Sequence, residues 1–183
     1  MVSGEDGLVR LEWAHDSAFR FFPARRDDTY GYRLHEIDAA INKILALAGR
    51  QEARDFVDVL YLHDNLLSVG AMTWAACGKD TGYTPDFLLD QAGRHVAYTE
   101  SDLHRLNLSK PLDIQKMKRK WIRASERAKR LIDSLPPDEI GCLYLDAGGK
   151  PVTPDPESVG FQDLTRHRGR VAGAWPNVKG KEG

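Results

Sequence analysis

The chain predicts an α+β protein. Short alternating strands open it, amphipathic helices fill its middle, and a glycine-centred hairpin follows the double proline Pro136-Pro137. In more detail the expected fold is the remnant of a β-sheet, then a mostly helical body and a small C-terminal hairpin. The 183 residues suffice for one ordinary domain, or one domain with a small appendage. With 42% hydrophobic and 29% charged residues, the balance is that of a folded chain rather than a disordered one.

The elements follow in order. Leu8 to Trp13 alternates apolar and polar positions, and Ala18 to Phe22 follows the turn His15-Asp16-Ser17, so the two predict a hairpin closed at Pro23. Residues 25–32 read as a polar loop. Leu34 to Ala48 predicts a helix, with Ile37, Ile41, Ile44, Leu45 and Ala48 on its apolar face and Gly49 as its stop. A second helix is expected from Arg54 to Leu67 and a third from Val69 to Cys77. Thr84 caps a fourth, with Pro85 in its first turn, running to Arg94.

Thr99 to Asp102 begins a short helical turn. A long basic helix runs from Pro111 to Ile132, with Trp121, Ile122 and Leu131 as its buried stripe. Ile140 to Leu145, the turn Asp146-Ala147-Gly148-Gly149 and Lys150 to Thr153 predict a hairpin. From Pro154 the composition becomes that of a flexible basic tail, with 178–183 expected to be disordered. The chain thus divides into a core over 1–83, a helical region over 84–135, and a hairpin and tail over 136–183.

Charge and cysteine usage exclude several functions. A formal net charge of −1 gives no general attraction to polyanions, so such contacts require a local patch. Cys77 and Cys142 form no CxxC pair and read as reduced thiols. No H-x-x-x-H pair suggests zinc, and Ser17 and Ser68 lack the GxSxG context of a nucleophile. No apolar run reaches the ~18 residues of a membrane span, and Met1 to Asp6 is too polar for a signal peptide, which points to a cytoplasmic protein without a membrane partner.

The charges that need explaining lie between Asp38 and Asp58. Lys43, Arg50, Arg54, Asp55 and Asp58 interrupt an apolar helical segment that has no packing use for them. Arg54 and Asp58 stand four apart and can pair; Asp55 and Asp58, three apart, can face one way. A lysine suits a nucleotide phosphate, and a carboxylate suits a metal ion or a proton. The same residues also fit a surface ion-pair lattice.

The run L-x-x-x-D-x-A-x-N-K-x-x-A-x-x-x-R-x-x-x-R-D-x-x-D from Leu34 to Asp58, with Glu12-Trp13 and the segment Asp16 to Pro23 ahead of it, resembles the AbiEii/AbiGii toxin-like nucleotidyltransferases. The resemblance covers roughly residues 8 to 65. It implies the DNA polymerase β-like nucleotidyltransferase fold and Mg²⁺-dependent transfer of a nucleotide from an NTP to an RNA such as tRNA, or to another acceptor. An antitoxin protein is an implied partner. By position, Lys43 contacts the triphosphate, and Asp58 and Asp55 are the catalytic acids. Asn42 and Arg54 belong to nucleotide binding, Asp38 and Asn42 support Lys43, and Glu12 stands as a metal carboxylate.

The family's first motif, a glycine–serine turn followed by two acids one residue apart, does not occur in the chain. That predicts a truncated N-terminus and little or no nucleotidyl transfer, since a two-metal site would lack most of its ligands. The alternative expectation is a catalytically dead binding or scaffold module of a toxin–antitoxin-like system. The basic helix from Lys116 to Arg130 could face RNA phosphates or simply be solvated, and Arg166 to Arg170 reads as a surface or partner-binding tail.

Overall fold

The structure, a computed structural model, describes residues 2–4, 7–9, 18–50, 52–94, 97–106, 108 and 110–171. The fold is mixed: six α-helices and several small antiparallel sheets among the described residues. In chain order the helices are α1 (Glu36–Gly49), α2 (Ala53–Asn65), α3 (Val69–Lys79), α4 (Pro85–Gly93), α5 (Glu100–His104) and α6 (Ile114–Ser134).

Helix α3 is the central element because its sequence leaves it no polar face. Every residue from Val69 to Cys77 is buried, as expected for a helix packed on all sides. Helices α1, α4 and α6 surround it, and each presents a single stripe. On α1 the stripe is Ile37, Ala40, Ile41, Ile44, Leu47 and Ala48; on α6 it is Ile114, Met117, Trp121, Ala124, Ala128 and Ile132. The second differs from the expected set: Ile122 is 55% exposed and Leu131 half-buried. Counting in steps of three and four from Trp121 selects Ala124 and Ala128, small residues that let α6 lie close to α3.

The caps follow the sequence. Ser68 accepts from the Ala71 amide, Thr84 from Phe87, and Thr99 forms a capping box with Asp102. Helix α6 starts at Asp113, which accepts from Lys116, rather than at Pro111.

The strands depart further from expectation. β1 (Val2–Gly4) pairs with β2 (Gly7–Val9), and β3 (Phe19–Arg20) pairs with β9 (Arg170–Val171), so the described residues contain no pairing of Leu8–Trp13 with Ala18–Phe22. Residues 10–17 lie outside the described residues. Residues 25–33 form a hairpin rather than a loop: β4 (Arg25–Asp27) pairs with β5 (Gly31–Arg33). Asp27 accepts from the Thr29 and Tyr30 amides to close its turn, and Gly31 takes φ +76°.

The hairpin after the double proline is present as β6 (Cys142–Leu145) and β7 (Pro151–Val152). It is extended by β8 (Thr165–Arg168), which pairs with β6, so this part of the expected tail is a sheet strand. Residues 172–183, with the expected disordered end, lie outside the described residues.

Two contacts tie these strands to the helices. Buried Asp38 on α1 accepts from the Phe21 and Phe22 amides at 2.9 and 3.0 Å, while His167 on β8 hydrogen-bonds the Phe21 carbonyl through Nε2 at 2.7 Å. Phe22 stacks against both His35 and His167. At the other side, α3 meets β6 where Gly78 and Gly141 touch backbone to backbone; a Cβ on Gly78 would stand 2.2 Å from the Gly141 carbonyl oxygen. One buried cluster runs from Phe21 to Phe161 and draws on all three of the expected regions.

Because the Gly78–Gly141 contact has no flexible side chain to give way, Gly78→Ala is expected to destabilise the protein by about 3 kcal/mol. A urea titration of wild type and variant measures this as a lowered midpoint at unchanged slope.

Candidate functional site

The motif charges gather at the corner between α1 and α2. Helix α1 ends at Arg50, whose extended backbone turns the chain. Asp55 then falls in the first turn of α2, where the helix dipole favours an acid. Lys43 lies about two turns back along α1 from Arg50, on the side facing α2.

Asp55 is the centre of the arrangement, with a fully buried side chain. Arg50 approaches it bidentately, Nε to Oδ2 at 2.7 Å and Nη2 to Oδ1 at 3.2 Å. Lys43 Nζ reaches Oδ1 at 3.0 Å and also contacts Asp58 Oδ2 at 2.7 Å. Burial pushes the Asp55 carboxyl pKa up, but the hydrogen bonds from Arg50 and Lys43 outweigh it and hold it below the usual value. Burial likewise pulls Lys43 down, and its bonds to Asp58 and Asp55 raise it above the usual lysine value. Both groups are therefore charged at neutral pH.

The ammonium of Lys43 has three protons. Asp55 and Asp58 take two of them, the side chain is 32% exposed, and Asp58 is itself 37% exposed. An incoming anion can reach Lys43 and displace Asp58 while Asp55 keeps Arg50. Beneath the corner, Phe56 packs on Tyr98 and Trp121.

The remaining motif residues are placed elsewhere. Arg54 is exposed and forms no ion pair with any described residue, so the expected Arg54–Asp58 pair is absent and Lys43 holds Asp58 instead. Asn42 accepts from Lys79 on α3. Asp38 faces the Phe21–Phe22 backbone. The hydrogen bonds of Asp38 and Asn42 thus run to the strand segment and to α3. Glu12 lies outside the described residues. Arg50, quoted in the motif without a role, proves to be the principal partner of Asp55; its spacing of five from Asp55 across a helix end carries no helical signal that would reveal the pair.

Asp38 and Asp55 have no free oxygen to offer Mg²⁺. Both oxygens of Asp55 are held by cations, both of Asp38 by amides, and no group of three metal-ligating side chains occurs among the described residues. Cys77 and Cys142 are buried free thiols; burial pushes Cys77 up to about 12, too high for a reactive thiolate.

The basic helix α6 is partly neutralised. Lys120 pairs with Asp64, Lys129 with Asp86 and Asp133, and Lys116 lies 3.8 Å from Asp113. Arg119, Arg123, Arg127 and Arg130 form no ion pair with a described residue. No described helix is long and apolar enough to cross a membrane. No family profile, no characterised protein and no solved structure matches the chain.

The cluster predicts an asymmetric mutational response. Lys43→Ala/Arg50→Ala leaves a buried carboxylate without cations and should cost about 3–5 kcal/mol, whereas Asp55→Asn leaves two cations that can turn to water and should cost about 1–2 kcal/mol. Since the folded pKa of Asp55 lies below the 3.8 of the free side chain, its contribution is present above that pH and lost as pH falls through the folded value. Wild type should therefore lose stability on acidification from about pH 4 downward, and Asp55→Asn should lack that portion of the loss. Denaturant titrations across pH measure both effects.

Proposed function

We propose that this chain is a nucleotide-binding element of the AbiEii/AbiGii-like nucleotidyltransferase type, in which Lys43 receives the triphosphate tail of an NTP. One observation carries the reading: Lys43 is held charged and oriented at the α1–α2 corner by Asp55 and Asp58, yet remains reachable from solvent. A core lysine would be covered, and a freely solvated one would not be fixed by two carboxylates.

The commitment of Asp55 and Asp38 to cations and amides favours binding over nucleotidyl transfer by the described residues. Asp58 is then the exchangeable partner, the carboxylate an entering phosphate replaces. An RNA acceptor and an antitoxin-like protein partner belong to the same proposal by resemblance, as does Mg²⁺ arriving with the nucleotide.

Calorimetric titration with ATP, GTP, CTP and UTP in the presence of Mg²⁺ tests the reading. Saturable binding of at least one NTP is expected, weakened at least tenfold by Lys43→Ala and strengthened severalfold by Asp58→Asn, which removes the competing charge. Absence of NTP binding at millimolar concentration, or equal binding by Lys43→Ala, contradicts it. Turnover abolished by Lys43→Ala would show that the chain transfers nucleotides as well as holding them.

A further inference from the structure

Two concavities meet along α6, away from the Lys43 corner. The smaller, about 340 Å³, runs past Lys116, Arg119 and Arg123. The larger, about 700 Å³, lies between α6, the first turn of α3 and the loop 153–157. His63, Ala124 and Arg127 border both, so the two are neighbours. A volume of this size is within the range of small-molecule sites.

The lining of the larger pocket combines three chemistries, with Arg130 beside Arg127 among its cations. Its floor is apolar, made by Ala124, Ala128 and Leu131 where Gly70 lets α3 approach; a Cβ on Gly70 would stand 2.9 Å from the Ala128 Cα. The end toward the smaller concavity is a donor end. His63 Nδ1 accepts from the Val69 amide at 3.2 Å, which leaves the proton on Nε2. Burial lowers the His63 pKa; Asp64 raises it, while Arg127 and Lys120 lower it further, and the ring remains a neutral donor at physiological pH. Arg127 is exposed and forms no ion pair with a described residue. The wall facing α6 carries Asp155 and Glu157, likewise without ion pairs among the described residues.

A simple anion would be repelled by that wall, and an uncharged polyol would leave Arg127 unused. A ligand that satisfies all three has an anion at one end, a flat apolar body and hydroxyl donors. Guanidinium groups recognise phosphate bidentately, carboxylates accept from ribose hydroxyls, and a base covers an apolar floor. We infer that this pocket holds a ribonucleotide, with its phosphate on Arg127 and His63 and its ribose hydroxyls toward Asp155 and Glu157. The ribonucleotide is either a free mononucleotide or the terminal residue of an RNA strand, whose next phosphates would lie along Arg123 and Arg119. These residues are distinct from Lys43, so this inference and the NTP reading stand or fall separately.

Titration of the full chain with AMP, GMP, CMP and UMP, a short single-stranded RNA and inorganic phosphate tests the inference, with folding of each variant checked by thermal melting. Saturable ribonucleotide binding is expected, weakened at least tenfold by Arg127→Gln and weakened severalfold for the 2′-deoxy ligand. The His63 pKa, followed by NMR, should rise on binding as the phosphate arrives. Binding of mononucleotides identifies the free ligand. Binding of the oligonucleotide alone, weakened by Arg119→Ala/Arg123→Ala, identifies the strand end. No saturable binding of either, binding undiminished in Arg127→Gln, or phosphate bound as tightly as the nucleotides overturns the inference.

Discussion

Asp55 is the constraint on which the α1–α2 corner depends. A carboxylate withdrawn from water is tolerated when its oxygens are met by well-placed cations and donors. Arg50 at the end of α1 and Lys43 within it supply those partners, so the charge is satisfied when the two helices meet at this angle. The same angle turns Ile44 and Leu47 of α1 and Phe56, Val59 and Leu60 of α2 into the common core. Packing supplies most of the stabilisation and the buried ion pairs select the geometry.

Asp38 plays the corresponding part at the other end of α1. It accepts two backbone amides of the segment before β4, and His167 of β8 grips the carbonyl of the same segment. Two acids thus anchor the two ends of α1: Asp55, on α2, holds its C-terminal half to the following helix, and Asp38, on α1 itself, holds the Phe21–Phe22 segment. Lys43 stands between these anchors on a rigid element, which is the condition for an oriented charged group to bind a ligand without first being ordered.

The helices were legible in the sequence because their cause is local. Apolar steps of three and four, Thr84 as a cap, Thr99 as a helix start and Gly49 as a stop all act within one or two turns. The strands were legible only in part. β3 and β7 fall within predicted strands, but the partner of β3 is β9, two residues long and too short for a period-two signal, and β8 joins β6 across an intervening loop that has the composition of a tail. The charged cluster was half legible: helical spacing let Asp55 and Asp58 face one way but assigned Asp58 to Arg54. Pairing across a helix end follows the turn of the backbone rather than helical periodicity, and so the partnership of Arg50 with Asp55 emerges only with the fold. The pocket beside His63 has no local signature at all, since its three walls come from α6, α3 and the loop 153–157.

The central claim is that two cations hold a buried, ionised Asp55. The most direct measurement is the carboxyl carbon chemical shift of Asp55 in specifically labelled protein, followed as pH is lowered. The account predicts that Asp55 titrates below the usual 3.8 and that Arg50→Ala moves the midpoint upward. An Asp55 that titrates at or above the usual value in wild type, unmoved by Arg50→Ala, would contradict it.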